Sequence, residues 1–137
     1  MSQTSPDNSL QYNFHQKKAL LIEDNEINIM LVSMLLKKFQ LHFDVAKTGT
    51  QALKLFNTNE YDIVLTDIHL PEFNGDEIAE IIRANTNPKK ANTPIIALTA
   101  TSLSSDLESY LAAGINDVMV KPFTEDDFFA TIHKHLS

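Results

Sequence analysis

From Lys18 onward the chain alternates between short apolar runs and longer stretches of helical period. The runs are ALLI (19–22), HFDVA (42–46), YDIVL (61–65), PIIAL (94–98) and DVMV (117–120). Between and after them, over 26–39, 50–57, 75–84, 104–113 and 124–136, apolar residues recur every three to four positions. Short, mostly apolar runs of this length are what strands of a parallel sheet covered on both faces look like. The intervening stretches are long enough for crossover helices. Repeated strand–helix pairs predict an α/β fold, a doubly wound (βα)5 sandwich with a five-stranded parallel sheet between helices. Residues 1–16, rich in Ser, Asn, Gln and Pro, read as a flexible polar linker or leader, which leaves 17–137 as the domain. NTNPKKAN (85–92) reads as a plain surface connection.

The first helical segment, EINIMLVSMLLKKF, carries more apolar surface than one face needs. Leu31, Val32, Leu35, Leu36 and Phe39 form a stripe suited to face the sheet. Ile27, Met30 and Met34 form a second stripe beside it, and exposed apolar patches rimmed by charge often mark docking sites.

In doubly wound sheets, ligands bind beyond the carboxyl ends of the strands. Glu23, Asp24 and Asn25 follow the first run, Asp67 the third, Thr99 and Ala100 the fourth, and Lys121 and Pro122 the fifth. Taken singly, these residues have ordinary readings. Asp67 could form a turn, Asp24 and Asn25 could cap the next helix, and Lys121 could be a solvated charge. Together they bring three carboxylates, a hydroxyl and an ammonium to one rim. Crowded carboxylates repel unless a cation sits among them. Hard oxygen donors suit Mg²⁺, with Asp24 and Asp67 as direct ligands and Glu23 further back. A carboxylate so flanked by metal, lysine and hydroxyl is placed to attack phosphorus, and aspartyl phosphates are known intermediates.

Composition narrows the alternatives. The chain has 137 residues, 43% hydrophobic and 21% charged, ordinary globular values. It has no cysteine, which excludes thiolate chemistry and disulfides and is compatible with a cytoplasmic setting. A net charge of −7 argues against direct contact with nucleic acid. No apolar stretch is long enough to span a bilayer, so no direct membrane contact is expected.

The blocks LLIEDNEIN, DIVLTDIHLPEFNG, IIALTA and VKPF, in this order and spacing, resemble those of a response-regulator receiver domain. The resemblance covers about Lys18 to the C-terminus. It implies a flavodoxin-like sheet with strand order 2-1-3-4-5. It further implies that Asp67 is the phosphoacceptor, and that Glu23, Asp24 and the backbone carbonyl of His69 join it in holding Mg²⁺, with Mn²⁺ as an alternative ion. Lys121 would pair with the phosphoryl group, and Thr99 would be the switch hydroxyl. The donor would be a phosphohistidine on a histidine kinase or histidine phosphotransfer protein, docked by Ile27, Met30 and Met34. Such a domain catalyses only its own phosphorylation and dephosphorylation. EDNEIN and ALTA most resemble receivers of hybrid histidine kinases, so the chain is expected to be part of a longer protein, cytoplasmic or the cytoplasmic part of a membrane-bound kinase. Self-association through the fourth and fifth helices is a further family option.

Two departures bear on the switch. Many receivers carry an aromatic residue three positions before the lysine; here it is Val118, which has no ring to rotate and is stiff at χ1. His69 occupies a position that tunes dephosphorylation in the family. Three rival readings fit the residues less well. A flavodoxin-like cofactor binder would want a Ser/Thr/Gly-rich phosphate loop where this chain has EDNEI. An aspartyl-phosphate hydrolase would want a second acid at 69. A degenerate receiver that only docks partners would not need the full acidic, Thr and Lys set.

Overall fold

A computed structural model describes Phe14 and residues 16–136. Five strands, β1 (Lys18–Ile22), β2 (His42–Ala46), β3 (Ile63–Asp67), β4 (Ile95–Thr99) and β5 (Asp117–Val120), alternate with five longer helices. These are α1 (Glu26–Lys38), α2 (Gly49–Thr58), α3 (Gly75–Arg83), α4 (Ser104–Ala112) and α5 (Glu125–Leu136). The sheet is parallel throughout, with spatial order β2-β1-β3-β4-β5. This is the doubly wound sandwich that the hydrophobic pattern predicts, in the order that the resemblance implies.

Successive side chains on each strand feed opposite cores, as the two-residue repeat of a strand requires. Leu20, Ile22, Val64, Ile95 and Ala97 pack with Ala52, Phe56, Ile78, Ile82 and Tyr110 on the side of α2, α3 and α4. Ala19, Leu21, Ile63, Leu65, Ile96 and Leu98 pack with Val32, Leu36, Phe128 and Ile132 on the side of α1 and α5. Burial on both faces is why the central strands β1, β3 and β4 read as nearly continuous apolar runs, whereas the edge strands β2 and β5 are only partly buried and carry Asp44 and Asp117.

Helix starts follow local chemistry. Asn25 caps α1 by accepting from the Asn28 N–H at 3.0 Å. Thr48 does the same for α2 through Gln51 at 3.1 Å. Thr124 and Asp127 cap α5 reciprocally, each side chain accepting from the other's backbone N–H.

Two expectations are corrected, the place of Leu31 and the character of 85–92. The third strand, Ile63–Asp67, ends at Asp67 as expected but begins two residues after the apolar run YDIVL does, and the fourth, Ile95–Thr99, ends at Thr99 as expected. Tyr61 belongs to the apolar run without belonging to the strand because its ring is buried, stacked on Phe56, while its hydroxyl donates to Asp44 at 2.7 Å. Leu31 is 51% exposed and belongs with the outer stripe of α1. Residues 85–92 are not a plain connection. They contain a helical turn, Pro88–Ala91, whose Lys90 ammonium donates to the carbonyls of Phe56 and Asn59 at 2.7 and 2.6 Å.

The polar leader lies outside the described residues except for Phe14 and Gln16. Phe14 is buried, donates its N–H to the Phe39 carbonyl at 3.1 Å and sits 6.0 Å from the Phe129 ring. No helix among the described residues is long and apolar enough to cross a membrane.

Candidate functional site

The carboxyl ends of β1 and β3 are neighbours in the sheet, with Ile22 paired to Thr66. The first residues beyond β1 and the last of β3 therefore meet. Glu23, Asp24 and Asp67 each offer a carboxylate oxygen, all within 4.8 Å of one another. The three differ in burial. Glu23 is fully buried, Asp67 is half-buried and Asp24 is exposed. The cluster thus opens to solvent on the Asp24 side.

Glu23 is pinned from two directions. The backbone N–H groups of Asp24 and Asn25 donate to its Oε2, each at 3.1 Å, at the entrance to α1. Lys121 approaches its Oε1 at 3.4 Å. Burial pushes the Glu23 carboxyl above the usual carboxylate range. The Asn25 N–H opposes that, the Asp67 charge adds to it, and Lys121 opposes it again. Asp67 accepts from the Ile68 N–H at 2.7 Å, and Lys121 stands 4.0 Å from its Oδ1. Lys121 therefore bridges Glu23 and Asp67, and it lies closer to Glu23.

Thr99 ends β4 beside Asp67, whose register partner is Leu98. The residue is buried, and its side-chain oxygen accepts from the Thr101 N–H at 3.2 Å. His69 is exposed in the turn after Asp67. Val118 is half-buried and packs on the α2–α4 side of the core. The structure thus brings Glu23, Asp24, Asp67 and Lys121 together, sets Thr99 on the neighbouring strand end, and places Val118 within the sheet.

Ile27, Met30 and Met34 are 64%, 55% and 61% exposed, with Leu31 beside them. Leu31 and Met34 help line a groove of about 590 Å³ between α1 and the segment after β5. Lys121, Pro122 and Phe123 form its other wall, so the groove reaches the lysine beside Glu23 and Asp67. Sequence reasoning missed Phe123 as part of this surface, and VKPF was the signal available for it. It also missed Tyr110, which α4 buries in the core that Val118 packs against. Burial raises the Tyr110 hydroxyl pKa above that of ordinary tyrosine.

The donor set is all oxygen, the chemistry that hard divalent cations choose. Three carboxylates against one lysine leave the cluster short of positive charge, so it could hold a metal.

Residues 19–133 match the family described as response regulator receiver domain. The chain is 36% identical over 128 residues to transcription factor SKN7 of Saccharomyces cerevisiae, covering 93% of this chain and 20% of that protein. It is 40% identical over 115 residues to aerobic respiration control sensor protein ArcB of Escherichia coli, covering 84% and 14%. The chain thus spans a fifth or less of the length of these relatives. Among solved structures it resembles the receiver domain of sensor histidine kinase PA1611 from Pseudomonas aeruginosa, which has a magnesium ion coordinated in its active site cleft. That match has a TM-score of 0.80 and 32% identity, and covers 88% of this chain and 97% of that one. CheY4 of Vibrio cholerae shares the fold, with a TM-score of 0.81, 24% identity, and 88% and 98% coverage.

Proposed function

This chain belongs to the response regulator receiver domain family of two-component signalling, and we propose that Asp67 is its phosphoacceptor. The observation that carries the reading is the convergence of Glu23, Asp24 and Asp67 within 4.8 Å, with Lys121 beside Asp67. An Asp67 oxygen attacks the phosphorus of a phosphohistidine. As the P–O bond forms, the P–N bond breaks and its electron pair returns to the imidazole, which takes up a proton. Lys121 meets the negative charge on the transferred group, and Thr99 offers it a hydroxyl. Glu23, Asp24, Asp67 and the His69 carbonyl would hold Mg²⁺, or Mn²⁺ in its place. The ion would supply neutralisation of the equatorial phosphoryl oxygens. Glu23, fixed by two backbone N–H groups, sets the depth of that site.

The domain on this reading turns over no separate substrate. Its catalysis is confined to gaining and losing its own phosphoryl group, and any kinase activity belongs to a parent chain such as a hybrid histidine kinase. The partner is a histidine kinase or phosphotransfer protein. Ile27, Met30 and Met34, with the groove that runs to Lys121, dock it so that its histidine faces Asp67. Leu103 and Leu111, at the start and near the end of α4, are exposed, and any self-association would run through α4 and α5. The setting is cytoplasmic, or the cytoplasmic part of a membrane-bound kinase.

Intact mass after incubation with acetyl phosphate and Mg²⁺ tests the central claim. One phosphoryl group is gained by the parent and none by Asp67→Asn, and none appears when Mg²⁺ is chelated. A parent that stays unmodified under all conditions would favour a receiver that only docks partners. For the docking surface, Met30→Glu with Met34→Glu lowers transfer from a phosphorylated partner by about tenfold, the size of a modest interface contribution. The same pair leaves acetyl phosphate labelling intact. Equal loss with both donors would remove α1 as the docking face.

A further inference from the structure

The loop between Asp67 and α3 is fastened to the first turn of α2 at three points. Gly49 donates its N–H to the Pro71 carbonyl at 3.3 Å. Thr50 donates its N–H to the Glu72 carboxylate at 3.2 Å. Phe73 lies so close over Gly49 that a Cβ added there would sit 2.6 Å from the Phe73 Cβ. Glu72 itself has φ of 74°, a left-handed conformation that a non-glycine residue adopts only when its neighbours hold it there. The Thr50 side chain and N–H, and then the Thr48 hydroxyl, keep its carboxyl below the usual carboxylate range.

The same loop is tied to the reactive strand at its other end. Gly75 donates to the Ile68 carbonyl at 2.7 Å, and a Cβ at Gly75 would lie 2.4 Å from the Asp67 carbonyl oxygen. Residues 68–74 are therefore closed at their two ends by the Ile68–Gly75 bond and held between them, at 71–73, by α2. His69 sits inside that span.

We propose that Gly49, Glu72 and Phe73 form a clasp that positions residues 68–74, and with them the His69 carbonyl, so that cation binding at the rim is coupled to the first turn of α2. The inference rests on the assignment of Glu23, Asp24, Asp67 and His69 as the cation site. A loop already held in place loses little freedom when an ion is bound, which is how preorganisation raises affinity. Coupling of this kind is reciprocal. If the clasp tightens Mg²⁺ binding, Mg²⁺ tightens the clasp by the same factor, and the Gly49 and Thr50 amides report occupancy of a site to which neither contributes a ligand. The clasp also offers a route out of the rim that does not pass through Val118.

Mg²⁺ titration of the isotope-labelled chain, followed by calorimetry and amide NMR, tests this. The Gly49 and Thr50 resonances move with the same midpoint as the heat. Glu72→Ala weakens Mg²⁺ binding by about tenfold, the loss typical of removing a support behind a metal ligand. Glu72→Gln keeps an acceptor for the Thr50 N–H and retains most of the affinity. Gly49→Ala and Phe73→Ala each weaken binding, and their combination is no worse than either alone, as expected of two parts of one contact. Glu72→Ala binding within twofold of the parent overturns the proposal, as do Gly49 and Thr50 amides that stay fixed through the titration. A parent that binds no Mg²⁺ removes the cation site instead. Hydrogen exchange at the Ile68, Phe73 and Gly75 amides then decides the clasp: faster exchange in Glu72→Ala supports it and unchanged exchange overturns it.

Discussion

The two ends of the sheet are built on opposite charge balances. At the amino ends of the strands every prominent charge is answered. The Arg83 guanidinium donates to the carbonyls of Gly114, Ala91 and Thr93 and to the Asn116 side chain, at 3.0, 2.7, 2.8 and 2.6 Å. Asp44 accepts from Tyr61 and pairs with Lys18 at 3.0 Å, and Asp117 pairs with His135 at 3.0 Å and Lys134 at 3.5 Å. At the carboxyl ends Glu23, Asp24 and Asp67 cluster, and the one lysine beside them, Lys121, reaches Glu23 and Asp67. The amino end closes its own accounts, and the carboxyl end gathers an acidic cluster that could hold a metal. Charge left unbalanced at a defined place is a mark of function rather than of stability.

Substitution that removes charge should therefore act in opposite directions at the two ends. Arg83→Met strips donors from four acceptors around a partly buried site. We expect it to destabilise the fold by about 3 kcal/mol, with water replacing some of the lost bonds. Asp67→Asn, measured without divalent cations, removes repulsion from Glu23 and Asp24 and should stabilise the fold by about 1 kcal/mol. Denaturant titration in chelator reads both. Equal destabilisation by the two variants would mean that the carboxyl end is a balanced structural network after all. Saturating Mg²⁺ should reverse the order between Asp67→Asn and the parent, because the parent gains the binding free energy of the ion.

How much of this was legible in the chain depends on whether the interaction is carried by a pattern or by a pair. The strands were legible because burial on both faces writes an unbroken apolar run, and Ala19–Ile22 is fully buried throughout. The rim was legible because parallel strands put all their carboxyl ends on one edge, so Asp24, Asp67 and Lys121 needed no contact information to be grouped. Tyr61 misled the third strand's start, since periodicity registers burial and not ladder bonding. Leu31 misled the helix face, since α1 carries two apolar stripes and spacing alone cannot say which meets the sheet. The Thr50–Glu72 and Lys121–Glu23 pairs join residues 22 and 98 positions apart. Nothing local announces them. The preference of Lys121 for Glu23 over Asp67 follows only from where the strand ends stand in space.

The smallest expected effect tests the amino end by pH. Burial alone would raise the Asp117 carboxyl. The His135 hydrogen bond, the Val118 N–H and the nearby Lys134 charge outweigh burial and hold it below its ordinary value of 3.8. A carboxyl with a depressed native pKa contributes stability that is fully present above its unfolded value. Between the two pKa values the unfolded chain binds more protons, so the contribution is lost as pH falls through that window, below about 3.8. The side chain is 28% exposed, and solvent screening limits the effect to no more than about 1 kcal/mol. Asp117→Asn should therefore flatten the acid limb of a stability–pH curve below pH 4 and leave its shape above pH 5 unchanged. An acid limb as steep as the parent's would mean that the Asp117 pair with His135 and Lys134 carries no stability, and the amino end would then rest on Arg83, Lys90 and the Asp44 group with Tyr61 and Lys18.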